Sequence, residues 1–126
     1  MKGLSLFASG GISEIYLNET NVDIVLANEL LQERCNFYHE YYKSDIICGS
    51  ICDKNIYKEI IQKSKEKNVD FVMATPPCQG MSKAGRMQFD DPRNVLFLYI
   101  INHYHYLIYQ YNQTNYLMKN HQFPYQ

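Results

Sequence analysis

Val22-Asp23-Ile24-Val25-Leu26-Ala27-Asn28-Glu29 is the stretch on which the fold turns. Its first six residues are rich in β-branched side chains and read as a strand, which stops at an asparagine and a glutamate. Residues 30–42 then take on a helical pattern. Upstream, residues 3–7 form a short apolar run, ended by Ala8-Ser9-Gly10-Gly11. Residues 12–17 have helical apolar spacing through Ile12, Ile15 and Tyr16. Downstream, residues 45–49 are a third strand candidate. Asp53 can cap a helix reaching about Lys67, with Ile56, Ile60 and Ile61 on one face. Residues 69–74 make a fourth strand, ended by Thr75-Pro76-Pro77, because proline cannot continue a ladder. Strands separated by helices imply a parallel sheet with right-handed crossovers. The expectation is a doubly wound α/β fold, which binds ligands at the carboxyl ends of its strands.

The 126 residues suffice for one domain. A formal net charge of −1 excludes a chain that holds nucleic acid by bulk positive charge, though not a local basic loop. No apolar run reaches the roughly 18 residues of a membrane helix, so no membrane is expected as a partner. The N-terminus is too short before its glycines to read as a signal peptide. Cys35, Cys48, Cys52 and Cys78 follow no disulfide-framework pattern, so reduced thiols in a cytoplasm are expected. Composition breaks near residue 99. Seven of the 12 tyrosines lie from Tyr99 onward, where Lys119 is the one charged residue.

Three strand ends carry candidate chemistry. Ala8-Ser9-Gly10-Gly11 lets backbone approach a ligand closely, or is an ordinary tight turn. Glu29 lies some 20 residues after the glycine turn, placed to accept from two ribose hydroxyls. It also suits a solvated first helical turn. Cys78 follows two stiff prolines, as a nucleophile with a lowered pKa would, although a buried structural thiol is the commoner reading of any cysteine. A phosphatase loop would place an arginine six positions on, where Ala84 stands, and Arg86 comes two residues late. Cys48 and Cys52 have no second pair to complete a zinc site, so no metal is expected.

Pro76-Pro77-Cys78-Gln79-Gly80-Met81-Ser82, followed by Asp91-Pro92-Arg93-Asn94-Val95-Leu96-Phe97, resembles the DNA (cytosine-5) methyltransferases. The bacterial restriction-modification type is the best match. Leu6-Phe7-Ala8-Ser9-Gly10-Gly11 and Ala27-Asn28-Glu29 support the resemblance in order and spacing. It covers the chain from Leu4 to about Phe97. It implies the Rossmann-like fold of S-adenosylmethionine-dependent methyltransferases. The cofactor's methionine part would sit by Phe7, Ala8 and Gly11, close to Pro76. Its ribose would bond Glu29, and Leu30 and Ile51 would sandwich the adenine. Ser50 would stand where the family often reads the adenine amine with an aspartate. The target cytosine would be flipped out of DNA beside Cys78, the catalytic nucleophile. Residues 79–94 would form a loop closing over DNA, with Gln79, Ser82, Lys83, Arg86 and Arg93 as its contacts.

The same resemblance sets an expected domain layout. Residues 1–98 would be the N-terminal part of the catalytic domain. Residues 99–126 would be a divergent Tyr/Asn-rich tail, for which an out-of-frame continuation fits the composition. Where the family carries Glu-Asn-Val, the chain offers Tyr116-Leu117-Met118-Lys119-Asn120-His121, with Lys119 in place of the glutamate. No segment corresponds to a target-recognition domain. The function so implied is transfer of a methyl group from S-adenosylmethionine to carbon 5 of cytosine in DNA, by a chain that looks truncated and inactive alone. The alternatives are a non-catalytic cofactor-binding remnant, and one subunit of a split enzyme whose second chain supplies the missing motifs.

Overall fold

The computed structural model describes residues 1–77 and 92–120. Four strands form one parallel sheet in the order β3-β2-β1-β4. They are β1 (Lys2–Leu6), β2 (Asp23–Glu29), β3 (Asp45–Cys48) and β4 (Phe71–Ala74). Each matches an apolar run of the sequence to within about two residues, as expected where burial and not turn chemistry sets the boundaries. In β1 the register places Ser5 opposite Ala27 on one side and Met73 on the other. Leu4 and Leu6 are completely buried, and burying a side chain of this size contributes about 1.5–3 kcal/mol. They anchor a core with Leu26, Ile47, Ile51, Ile60 and Val69. Across the sheet, Ala8, Ala27 and Tyr38 form a smaller cluster.

Helix α1 (Gln32–Tyr41) follows β2, and α2 (Lys54–Glu66) follows β3. The Asp53 carboxylate caps α2 by accepting from the backbone N–H groups of Asn55 at 2.7 Å and Ile56 at 3.2 Å. That satisfies two of the donors a helix start leaves open. Beyond Lys67, Asn68 takes the left-handed conformation, φ 54°, that ends many helices.

One expectation gives way. Residues 12–17 do not form an α-helix but lead into two short 3-10 turns, Ile12–Glu14 and Leu17–Glu19. Ile12, Ile15 and Tyr16 are all more than half exposed. Their spacing therefore presses no face into the core, and tertiary packing is what usually holds so short a helix. Downstream, α3 runs Leu96–Asn120. Leu96, Tyr99, Ile100 and Leu107 pack on the main core. His103 is fully buried, with its Nε2 3.3 Å from Ser64 Oγ of α2. Its ring meets Tyr57 edge-on at 6.3 Å. Lys65 Nζ sits 5.0 Å over the Tyr106 ring, a cation–π contact.

Candidate functional site

The sheet order fixes where a ligand can go. The chain moves outward from β1 to β2 and β3, then crosses back to place β4 on the other side of β1. The direction of winding reverses between β1 and β4, and the crevice beyond their carboxyl ends is where doubly wound sheets bind ligands. Two segments meet there. The turn after β1 continues its ladder through Ala8 N–H to Asn28 O at 3.0 Å. The segment after β4 is tied to it by Thr75, whose N–H reaches Leu6 O at 3.3 Å and whose hydroxyl donates to Phe7 O at 3.1 Å.

The β1 turn is strained. Phe7, Ser9 and Gly11 have φ of 59°, 55° and 79°. The first two carry side chains in a region that costs of order 1–3 kcal/mol each. Such strain persists only where surrounding bonds dictate it, and here they do. Ser9 N–H donates to Glu29 Oε2 at 2.8 Å. The Tyr42 hydroxyl donates to Gly11 O at 2.6 Å. The result is a turn whose backbone is folded back over the end of β2.

Glu29 is the centre of this arrangement. Its second oxygen accepts from Leu31 N–H at 3.1 Å, and Arg34 Nη1 stands 3.9 Å away. The side chain is only 6% exposed. A carboxylate has about four lone-pair sites, so the two backbone bonds leave capacity for further hydroxyl donors. The donor set suits a ribose: an acceptor pre-oriented by two N–H groups at the end of β2, beside a turn open to close approach. The neighbour Asn28, 2% exposed, donates from Nδ2 to Ile47 O at 2.9 Å and Gly49 O at 3.1 Å. It thereby fixes the end of β3 relative to Glu29.

The remaining candidates fall as follows. Phe7 is half-buried and Ala8 buried at the β1 end, and Gly11 is buried against Tyr42. Pro76 is half-buried past β4. Leu30 stands 62% exposed at the end of β2, whereas Ile51 is 3% exposed and belongs to the core. Of the two residues expected around an adenine, one is therefore open and the other largely covered. Ser50, after β3, uses its hydroxyl oxygen to accept from Cys52 N–H at 3.2 Å. Its own O–H remains a donor. Arg93 lies exposed in a 3-10 turn, Pro92–Val95. Cys78, Gln79, Ser82, Lys83 and Arg86 lie outside the described residues. So Phe7, Ala8, Gly11, Glu29 and Pro76 gather at three adjacent strand ends, and Ser50 and Ile51 flank them beyond β3.

The sequence reading missed Asn28 and Thr75, the two side chains that lock these strand ends together. It also missed Glu14, which is 5% exposed and accepts from the Tyr38 hydroxyl. Burial raises the Glu14 pKa, against the lowering effect of bonds from Ser5 and Tyr38. Glu14 borders a cavity of about 590 Å³ with Asp23, Tyr41 and Ser44. That cavity lies at the amino end of β2, away from the strand ends that carry Glu29. Among the described residues, no three His, Cys, Asp or Glu side chains cluster to hold a metal. No helix among them is long and apolar enough to cross a membrane.

Comparison with known proteins places these features in a common frame. The profile of the C-5 cytosine-specific DNA methylases matches residues 1–106. Type II methyltransferase M1.HgaI of Avibacterium volantium is 40% identical over 105 residues, covering 79% of this chain and 29% of the relative. Type II methyltransferase M.FnuDI of Fusobacterium nucleatum is 32% identical over 98 residues, 77% of this chain and 26% of the relative. The crystal structure of a Spodoptera frugiperda DNMT2 mutant superposes with a TM-score of 0.54 at 27% identity, covering 80% of this chain and 30% of that one. The chain thus spans under a third of the length of these relatives.

Proposed function

The chain belongs to the C-5 cytosine-specific DNA methylase family, and from that premise we propose that it is the cofactor-binding and nucleophile-bearing part of a DNA (cytosine-5) methyltransferase of a bacterial restriction-modification system. The observation that carries the reading is Glu29. Its carboxylate is held by Ser9 and Leu31 N–H groups at the strand ends where the fold binds ligands. S-adenosylmethionine, when bound, supplies a methyl group activated by its sulfonium. Glu29 would accept from the ribose hydroxyls. Phe7, Ala8 and Gly11 would line the methionine part, with Pro76 closing the far side. Leu30, Ser50 and Ile51 would flank the adenine, Ile51 by the small edge that burial leaves it.

Cys78 follows Pro77 directly in the sequence and would be the nucleophile. Its thiolate would attack carbon 6 of a flipped cytosine, making carbon 5 nucleophilic. After methylation, loss of the carbon 5 proton would expel the thiolate by β-elimination. Gln79, Ser82, Lys83, Arg86 and Arg93 would position DNA backbone over the site. Residues 1–98 would hold the catalytic part. The remaining motifs, among them the residue that grips the cytosine and the target-recognition domain, would come from sequence beyond this chain or from a second subunit. A DNA-modifying role would go with a cytoplasmic location.

Two experiments test this. Calorimetry with S-adenosylmethionine should give weaker binding by about tenfold or more in Glu29→Ala, the size of a lost bond to a charged group. Unchanged affinity would remove Glu29 from the pocket. Grafting residues 1–106 in place of the matching segment of M1.HgaI should yield a chimera that methylates DNA, read by labelled methyl incorporation. A Cys78→Ser graft should not. Equal incorporation by both would sink the nucleophile assignment.

A further inference from the structure

Two cysteines that the proposed chemistry does not use bracket the backbone at Glu29 and Leu30. Cys35, on the first turns of α1, is 3% exposed, and its thiol donates to Glu29 O at 3.5 Å. Cys48 ends β3 and is the register partner of Glu29. Its thiol faces Leu30 O at 3.9 Å. The two sulfurs therefore hang on consecutive carbonyls, one from a helix and one from the adjacent strand. Burial pushes the Cys35 thiol up to about 12, and the neighbouring Cys48 thiol adds to the rise. Cys48 is half-buried and so is the member of the pair that solvent reaches.

We propose that Cys35 and Cys48 form a paired dithiol that closes to a disulfide under peroxide and thereby loosens the Glu29 carboxylate. The bond itself is independent of the functional reading, whereas its consequence for the cofactor rests on it. The exposed partner reacts first. The Cys48 sulfur attacks one peroxide oxygen, the O–O bond breaks, and one water leaves a sulfenic acid. The Cys35 sulfur then attacks the Cys48 sulfur. An S–S bond forms, the S–O bond breaks, and the departing hydroxide takes the Cys35 proton as a second water. Two thiols are oxidised and one peroxide is reduced. The bridge removes both S–H donors from the Glu29 and Leu30 carbonyls. It also ties α1 to β3 across the segment whose Leu31 N–H holds the carboxylate.

The test treats the full chain with hydrogen peroxide, blocks remaining thiols under denaturing conditions, and maps linked peptides by mass spectrometry. A Cys35–Cys48 peptide that dithiothreitol reverses is expected, with S-adenosylmethionine affinity about tenfold weaker in the oxidised chain and restored on reduction. Cys35→Ser and Cys48→Ser should each keep the reduced-state affinity and lose the peroxide response. Cys52→Ser, at an exposed thiol, should retain it. A link from Cys48 to another cysteine, or free thiols at 35 and 48 after Cys52 is fully oxidised, overturns the pairing. A Cys35–Cys48 link with unchanged affinity overturns the loosening. A reversible link in a chain with no reduced-state affinity for the cofactor leaves the dithiol standing and removes the Glu29 reading instead.

Discussion

Gly11 has no room for a side chain. A Cβ built there would lie 2.2 Å from the Tyr42 ring, and the backbone sits at φ 79°. Tyr42 cannot retreat cheaply, because its ring stacks on Tyr38 at 4.6 Å and its hydroxyl holds Gly11 O. Gly11→Ala should therefore destabilise the chain by about 2–4 kcal/mol, the sum of left-handed strain and overpacking. Urea midpoints with an unchanged slope would read this. Asn28 makes a sharper case, because its amide donates to two carbonyls at once. Asn28→Asp keeps the shape and removes both donors, setting a carboxylate against two carbonyl oxygens. A loss of about 2–3 kcal/mol is expected at neutral pH, with partial recovery under acid as the new carboxyl protonates. A flat response to acid would mean that geometry, not the donors, carries the role of Asn28.

At the scale of elements, α3 is held by a neutral histidine. Burial keeps His103 at about 4, below its ordinary 6.5. The unfolded chain takes up a proton near 6.5, and the folded chain does not until about 4. Between those values the unfolded state binds more protons, so stability falls as pH drops through the window, by about 3 kcal/mol in all. Glu14 acts in the opposite sense. Its raised pKa favours the fold most at low pH, and that contribution is lost as pH rises above 4.5. The difference between wild type and His103→Leu isolates the histidine: the variant should lose less stability between pH 6.5 and 4, by urea titration at each pH. Equal pH dependence would place His103 outside the titration. This helix also shows why legibility was uneven. The strands, α1 and α2 were readable because their apolar runs and the Asp53 cap are local signals. In α3 the buried His103 and the partly buried Tyr99, Ile100 and Leu107 have helical spacing. It is concealed because Leu98, Ile101, Tyr104 and Ile108 are apolar and exposed on the other face. Of the candidate site, Glu29 and the glycine turn were legible from spacing alone. The Asn28 and Thr75 bonds join strands far apart in sequence, and no local pattern encodes them.

At the scale of the molecule, β4 is an edge strand among the described residues, paired only with β1. Its four residues are apolar and half-buried, without the charge or proline that usually guards an edge. The exposed apolar residues of α3 lie in the same chain. The chain spans under a third of the length of these relatives. On the proposed reading, the crevice between β1 and β4 receives the cofactor. Gripping and polarising the cytosine needs a further group placed against the ring. Misplacing or omitting one such group costs about 100-fold or more in rate. The 126-residue chain alone should therefore methylate DNA at least about 100-fold more slowly than the M1.HgaI chimera, while still binding S-adenosylmethionine through Glu29. Labelled methyl incorporation with Cys78→Ser as the blank, alongside calorimetry on the same preparation, separates the two properties. Robust transfer by the isolated chain would show that the strand ends described here are sufficient for catalysis. Binding without transfer would assign them the cofactor and leave the cytosine to the rest of the fold.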